Sequence, residues 1–329
     1  IVPDIIKLQK KLKTIQFQKF LLFSNLKKTT AKVGFLFAIM AAAFSALPNV
    51  IPKQLMESNT HSIAPDPFML VFVIYVANSL VFSPFRRSKK NSSKSKINKK
   101  TFVLLILLGL AEASGTLSYT VGLEETSATN ASILVNSETV FAILLGIMIF
   151  RERLQRLEIF PFLLIVFGSI LIPMGSDLYN NDFEVSELMI GDLLIVASGF
   201  FYCLDTFIAK KLDDSVKTKQ IVHVMSCTGA ILSLGLMILF QVPFSIALEE
   251  LSIMSVVGVL GIGITMMFFV MALRLIGAVR TVLIYSSTTV FSIVYSIVVL
   301  YEPLTLVNVI SVSSVLIGLI ALRNKIGSD

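Results

Sequence analysis

Two glutamates, Glu112 and Glu138, each lie in the middle of a long apolar stretch. An ionisable side chain is costly in such surroundings, so each is by default a candidate for binding an ion, a proton or a solute. The short sequence from Glu124 to Thr126 joins the two stretches, which predicts antiparallel neighbours with both carboxyls at similar depth. Burial and mutual repulsion would favour the protonated form of one carboxyl near neutral pH. Alternatively, a protonated Glu serves only as a hydrogen-bond partner between helices.

Further polar residues fall at the same depth as these glutamates. Thr288 occupies the position that corresponds to Glu138 in an internal repeat described below, and Ser286 corresponds to Asn136. The alternative role for the hydroxyls is to bond across packed helices or to carbonyls of their own helix. The predicted solute-binding or proton-binding residues are Glu112, Tyr119, Asn136, Glu138, Asp205, Tyr285, Ser286, Ser287 and Thr288.

Cations are missing from the centres of the apolar stretches. Lys53, Arg274 and Arg280 are the nearest, and each stands close to the end of its stretch. No side chain would therefore neutralise a phosphate or sulfate at mid-depth. A site there is expected to prefer neutral, zwitterionic or cationic solutes.

Sequence signatures of metal centres and enzymes are also missing. Cys203 and Cys227 lack metal-ligand spacing, and His61 and His223 are isolated. The chain has no nucleophile elbow, zinc-protease, phosphate-loop or dinucleotide-binding motif. We therefore expect no catalytic residues, no metal, no cofactor and no nucleic-acid partner.

The composition is that of a membrane protein. Hydrophobic residues make up 55% and charged residues 15% of the 329 residues, against about 25% charged in soluble domains. The mean hydropathy is +0.84. Windows of about 20 residues predict ten membrane-spanning helices, near 33–54, 67–85, 102–122, 127–150, 157–175, 189–209, 220–240, 252–273, 278–300 and 304–322.

Charge distribution predicts the orientation of these spans. If both termini are cytosolic, every one of the 28 Lys and Arg residues except Lys53 falls in a cytosolic segment. The opposite loops are acidic. This asymmetry follows the positive-inside rule.

An internal repeat divides the chain. Thr139 to Leu154 recurs 150 residues later as Thr289 to Leu304, and Gly34 to Leu55 matches Gly191 to Leu212. Five spans per half make the second half enter from the opposite side, so the repeats are inverted. Inverted repeats place a site near the bilayer midplane and predict alternating access.

Flanking segments complete the predicted organisation. Residues 1–32 form a basic amphipathic arm, 33–175 the first five-helix repeat, 176–188 an acidic external linker, 189–322 the second repeat and 323–329 a cytosolic tail. The arm suits a helix on an anionic cytosolic leaflet. The basic loop 86–100 is expected to anchor the topology or to contact acidic lipid.

Several motifs resemble the EamA-like branch of the drug/metabolite transporter superfamily. Gly122 to Ala128, Val140-Phe141 and Arg151 to Leu154 are similar to the end of helix 3 and to helix 4 of those proteins. The second half repeats the pattern, ending in Glu302-Pro303-Leu304. Relatives usually have Pro before the Val-Phe pair, whereas this chain has Thr139 and Thr289. A proline-based kink cannot be carried over there.

The resemblance implies an all-α membrane protein of ten helices in two inverted repeats around a central cavity. It also implies secondary transport, commonly export, of amino acids, other metabolites or drugs across the cell (plasma or inner) membrane. Proton coupling through Glu112 and Glu138 is a further hypothesis, and a homodimer is left open. The alternatives are a nucleotide-sugar or sugar-phosphate exchanger of related fold, a multispan membrane enzyme and a channel.

Overall fold

The structure is a computed structural model that describes residues 32–57, 65–83, 98–150, 156–168, 187–212 and 216–326. Across these residues the regular elements are helices, and no strand occurs. The helices are α1 (Lys32–Glu57), α2 (Pro67–Val81), α3 (Lys99–Glu125), α4 (Ala128–Leu134), α5 (Ser137–Phe150), α6 (Arg156–Val166), α7 (Glu187–Lys211), α8 (Thr218–Leu239), α9 (Leu248–Ile276), α10 (Ala278–Tyr285), α11 (Thr288–Leu300) and α12 (Leu306–Ile326).

Five of these helices, α1, α3, α7, α8 and α9, are long and apolar enough to cross a membrane. Shorter apolar helices include α2 and α11. Many large apolar side chains, such as Phe160 and Leu239, are more than two thirds exposed, as expected of surfaces that contact lipid rather than water. The all-helical fold and its several apolar helices make this a multi-pass membrane protein. The count of ten spans and the cytosolic placement of the termini stay predictions.

Helix starts follow local capping chemistry. The Asp66 carboxylate accepts the backbone N–H of Phe68 at 2.8 Å, with Pro67 at the first position of α2. The Ser127 hydroxyl accepts the N–H of Asn130 at 3.0 Å at the start of α4. Each bond satisfies an N–H that has no partner within its helix.

A second cap at the start of α4 comes from the far end of the chain. The Glu302 carboxylate accepts the backbone N–H groups of Ala128 at 2.8 Å and Thr129 at 2.9 Å. A carboxylate at a helix N-terminus also interacts favourably with the helix dipole. This contact ties α4 to the segment between α11 and α12.

The crossing of α3 and α7 is the most extensive helix–helix contact among the described elements. A Cβ atom added to Gly122 would lie 2.6 Å from the carbonyl oxygen of Gly191, so only glycine allows the backbones to approach so closely here. Further along, a Cβ on Gly115 would lie 2.8 Å from the Tyr202 ring. The two contacts define an antiparallel pair whose register brings Glu112 opposite Asp205.

This packing differs from the neighbour relationship predicted for the third and fourth spans. The α7 helix contacts both α3 and α5 extensively, whereas α3 itself makes only minor contact with α4. The connection consists of Thr126 and Ser127, because Glu124 and Glu125 are still helical. Glu112 and Glu138 therefore lie on two helices that each pack against α7.

Two breaks interrupt helical segments at corresponding places in the two halves. Val135 and Asn136 separate α4 from α5, and Ser286 and Ser287 separate α10 from α11. Both breaks contain backbone hydrogen bonds from the N–H of one residue to the carbonyl three residues earlier. Examples are Asn136 to Ile133 at 3.1 Å and Ser287 to Ile284 at 3.0 Å. Neither break contains proline.

Some predicted segments lie outside the described residues. They are residues 1–31 of the predicted arm, 84–97 of the basic loop, 169–186 around the predicted linker, and 327–329 of the tail. The domain bounds and the lipid contacts assigned to these segments stay predictions.

Candidate functional site

A cavity lies at the centre of the helices, between the two sequence halves. Its volume is about 100 Å³. Because one water needs roughly 10–15 Å³ of such a cavity, there is room for several waters or one small solute. Its polar lining residues are Ser45, Asn49, Glu112, Thr116, Tyr119, Thr120, Asn136, Glu138, Thr139, Tyr202, Asp205, Thr206, Thr265, Tyr285, Ser286, Thr288 and Thr289.

One wall of the cavity is formed where the two helix breaks meet. The Asn136 amide donates to the Thr289 hydroxyl at 2.7 Å, and the hydroxyls of Thr139 and Ser286 lie 3.4 Å apart. Asn136 and Ser286 are counterparts at the 150-residue offset, as are Thr139 and Thr289. The two bonds are therefore reciprocal, with each break contributing the same two positions to the other.

Polar side chains also satisfy the carbonyls near the breaks. The Asn136 amide donates to the Ile133 carbonyl at 3.0 Å. The hydroxyls of Ser286 and Thr288 donate to Val282 at 2.9 Å and Tyr285 at 2.7 Å. At Ile133 and Val282, these bonds add to the backbone N–H groups of Asn136 and Ser286 that the same carbonyls already accept.

The α1 helix adds hydroxyl and amide groups to this wall. The Ser45 hydroxyl donates to the Thr288 hydroxyl at 3.3 Å, and the Asn49 amide donates to Ser292 at 3.2 Å. The Tyr119 hydroxyl donates to the Asn49 carbonyl at 3.1 Å. That carbonyl lies beside Pro48 in α1. These contacts join α1, α3 and α11 around one end of the cavity.

Three carboxyl groups face the cavity from α3, α5 and α7. Glu112 and Asp205 lie opposite each other in the α3–α7 register, and both line the cavity. Glu138 projects from the first turn of α5, and its Oε1 accepts the Thr206 hydroxyl at 3.3 Å. One oxygen of Asp205, Oδ1, is buried without a hydrogen-bond partner.

A chain of hydroxyl groups connects the helix turn that carries Glu112 to α2. The hydroxyls of Tyr75 and Tyr202 both donate to the Thr116 hydroxyl oxygen, at 2.9 Å and 3.5 Å. Thr116 in turn donates to the backbone carbonyl of Glu112 at 3.0 Å. The network fixes the turn of α3 that carries Glu112.

An apolar surface completes the cavity. Ile262, Met266 and Phe269 of α9 line it, and the Phe269 ring packs edge-on against Tyr285 with centroids 4.9 Å apart. Aromatic faces beside carboxylates suit organic cations, because the ring quadrupole attracts positive charge. The cavity thus combines acidic, hydroxyl and apolar surfaces.

No Lys, Arg or His belongs to the cavity lining formed by the described residues. Arg274 instead donates to the Val216 carbonyl at 3.0 Å, and Lys53 contacts the Glu124 carbonyl at 2.9 Å and Glu57 at 3.3 Å. Within the same described ranges, no cluster of His, Cys, Asp and Glu is arranged to hold a metal ion. The charge in the cavity therefore comes from carboxyl groups.

The cavity gathers all the predicted site residues except Ser287, whose hydroxyl donates to the Ile284 carbonyl at 2.7 Å. The roles of these residues in binding stay predictions. The predicted site residues do not include nine of the polar lining residues, which are Ser45, Asn49, Thr116, Thr120, Thr139, Tyr202, Thr206, Thr265 and Thr289. The available signal was that Asn49 follows Pro48 and that Thr206 follows the intramembrane Asp205.

Comparison with known proteins agrees with the repeated architecture. The model of the EamA-like transporter family matches residues 32–174 and again residues 189–323. The chain is 27% identical over 299 residues to an uncharacterized transporter of Methanothermobacter thermautotrophicus, covering 88% of this chain and 85% of that one. It is 22% identical to an uncharacterized transporter of Clostridium kluyveri, covering 87% of this chain and 92% of the relative.

A solved crystal structure of another protein has the same fold. It superposes with a TM-score of 0.61 at 16% sequence identity, covering 91% of this chain and 98% of the other. The family match spans both halves, in agreement with the internal repeat and with a cavity enclosed by helices of both. The chain therefore belongs to the EamA-like transporter family, within the drug/metabolite transporter superfamily.

Proposed function

We propose that this protein is a secondary transporter of the plasma membrane that exports small solutes carrying an amino group. The class includes amines and amino-acid-like zwitterions. The observation that carries the proposal is the set of three carboxyls, Glu112, Glu138 and Asp205, facing a cavity whose described lining has no cationic side chain. Buried carboxylates without partners are costly, so protons or a bound ammonium group would compensate them.

Competition between protons and a cationic solute would also set the direction of transport. If both compensate charge in the same cluster of three carboxyls, binding of one favours release of the other, and the result is antiport. A proton gradient directed into the cell would then drive the solute outward. Export thus follows from the acidic cavity together with an inward proton gradient.

Alternating access is supported by the pseudo-symmetry of the two helix breaks. The reciprocal bonds from Asn136 to Thr289 and between Thr139 and Ser286 join equivalent positions of the two halves. Inverted repeats can exchange conformations around a site between them. The two reciprocal bonds form what is called the junction below. We propose that the halves rock about this junction, exposing the cavity to one side at a time.

The nucleotide-sugar or sugar-phosphate alternative requires cationic side chains around the solute. Lys210 is exposed at the end of α7, and Arg274 binds the Val216 carbonyl. Neither lines the cavity. An anionic solute would instead meet three carboxyl groups, so its binding is disfavoured.

Counterflow in proteoliposomes tests the proposal with four solutes of similar size and different charge. They are ethanolamine (cation), glycine (zwitterion), ethylene glycol (neutral) and glycolate (anion). Trapped ethanolamine or glycine is expected to stimulate uptake of its labelled form, whereas glycolate is not. Preference for glycolate, or for added glycerol phosphate, would overturn the assignment of solute class. Uptake without stimulation by trapped solute would indicate a channel instead of a carrier.

A further inference from the structure

The three cavity carboxyls are not equivalent in their surroundings. Glu112 and Asp205 lie opposite each other in the register of the antiparallel α3–α7 pair, and both line the cavity. The register is fixed independently by the close approach of Gly122 to Gly191 and of Gly115 to Tyr202. An ionised carboxylate is only an acceptor. Two ionised carboxylates that face each other repel, so a proton between them stabilises the pair.

The described groups around this pair provide it with no cationic partner. Asp205 is only 6% exposed, and its Oδ1 has no hydrogen-bond partner. The other titratable groups that act on the pair are Glu138 from α5, Tyr75 from α2, Tyr202 from α7 and Tyr285 from α10. His223 of α8 contacts the Ser79 carbonyl instead. No cation within the described lining replaces the proton.

Glu138 stands apart from this pair. It projects from the helix break, its Oε1 accepts the Thr206 hydroxyl, and the Ser45 and Thr288 hydroxyls line the same cavity. Ser45 and Thr288 supply acceptor oxygens that could complete the coordination of an ammonium group. The apolar residues Met266 and Phe269 line the cavity beside these groups. This arrangement suits a small amine with a short carbon chain.

Resting on the proposed function, we infer that Glu112 and Asp205 share and transfer the coupling proton, while Glu138 binds the ammonium group of the solute. One proton from outside binds the Glu112–Asp205 pair as one monocationic amine leaves Glu138 outward. The same proton is released inside after the halves exchange. No bond other than that to the proton is made or broken, and the exchange moves no net charge.

Infrared difference spectroscopy of the purified protein tests the proton site without any solute. A shift from neutral to alkaline pH should remove the absorption of a protonated carboxyl in the wild type. Asp205→Asn and Glu112→Gln should each abolish that signal, because the new amide N–H replaces the shared proton as donor. Glu138→Gln should keep it. Persistence of the signal in both pair variants, or loss in Glu138→Gln alone, would overturn the assignment.

Transport separates coupling from solute binding. For one-for-one exchange, an inward proton gradient should drive the initial ethanolamine efflux from wild-type proteoliposomes faster than the leak of the neutral base from protein-free liposomes. Asp205→Asn should reduce this efflux to the leak while still allowing counterflow at equal pH, which requires no net proton movement. Asp192→Asn is the control, because it makes the same change on α7 about 20 Å along the helix axis and outside the cavity lining.

Different results would distinguish the two proposals. Absence of counterflow in the wild type would count against the proposed function but leave the infrared test decisive for the proton pair. Counterflow together with an unchanged pH response in both Asp205→Asn and Glu112→Gln would overturn the coupling role alone. Because the pair is built from two helices, failure of one variant to fold leaves the other to decide.

Discussion

The break between α4 and α5 and the break between α10 and α11 are counterparts in the two halves, yet they present different chemistry to the cavity. Both are closed by three-residue backbone bonds, and each bonds to the other through a reciprocal pair of side chains. Two residues beyond Asn136 stands Glu138, whereas two residues beyond Ser286 stands Thr288. The Thr288 hydroxyl donates to its own helix at Tyr285.

The two breaks share their backbone and their reciprocal bonds, so both halves build this junction alike. They differ in the carboxyl of Glu138, which is present on one side only. In the proposed function, this carboxyl binds the cationic solute. Keeping the junction while changing one side chain would alter solute preference without changing the fold.

The largest expected effect comes from removing the asymmetric carboxyl. Glu138→Gln keeps the side-chain size but loses the charge that would bind an ammonium group. Hydrogen bonds to charged groups contribute about 1.5–3 kcal/mol, so ethanolamine counterflow should fall about 10- to 150-fold. Glu125→Gln, at an exposed position at the end of α3, should leave it unchanged. Equal losses in the two variants would remove Glu138 from the binding site.

Breaking the reciprocal junction should affect stability next. Asn136→Ala removes bonds to Ile133 and Thr289, and we expect a loss of about 1–3 kcal/mol in the free energy of unfolding. A double-mutant cycle with Thr289→Val should give a coupling energy of about 0.6 kcal/mol, and at most about 1.7 kcal/mol. The longer Thr139–Ser286 contact should give less. A zero coupling energy would show that the hydrogen bond between Asn136 and Thr289 does not stabilise the contact between the two breaks.

The cap on α4 offers a smaller effect that involves only one break. Glu302→Ala removes the acceptor for the N–H groups of Ala128 and Thr129, which should cost about 1 kcal/mol. Glu302→Gln keeps one acceptor oxygen and should cost less. Denaturant unfolding in detergent measures both. The reverse order of stability would show that the carboxylate does not act as a cap.

The smallest effect is expected at the neighbouring serines of the second break. Ser287→Ala should change stability by less than about 0.5 kcal/mol and leave counterflow unaltered, because its hydroxyl bonds only within its own helix segment in the described contacts. Ser286→Ala should affect transport more, since Ser286 lines the cavity and contacts Thr139. A larger transport defect in Ser287→Ala would contradict this ranking.

The sequence predicted the helical fold and much of the cavity for physical reasons. Ionisable residues inside apolar stretches are few, so Glu112, Glu138 and Asp205 were conspicuous. The internal repeat aligned Asn136 with Ser286 through the 150-residue offset alone. These signals depend on composition and offset, which do not require knowledge of how the helices rotate or pack.

Other features depend on tertiary packing. The five polar residues from Tyr285 to Thr289 surround a helix break and therefore point in different directions. From the sequence alone, Ser287 was predicted to face the cavity with its neighbours, but it does not line the cavity. The position of α7 between α3 and α5 follows from the Gly122–Gly191 approach, which no local pattern indicates. The cap from Glu302 to Ala128 joins residues 174 positions apart.

Thermal stabilisation of the purified protein by ethanolamine, with ethylene glycol as the neutral control, tests the acidic cavity most directly. A ligand at tenfold its dissociation constant should stabilise the wild type by about 1.4 kcal/mol. The account predicts stabilisation by ethanolamine that disappears in Glu138→Gln, and none by glycolate. Equal stabilisation of the wild type and Glu138→Gln by ethanolamine, or stronger stabilisation by glycolate, would contradict it.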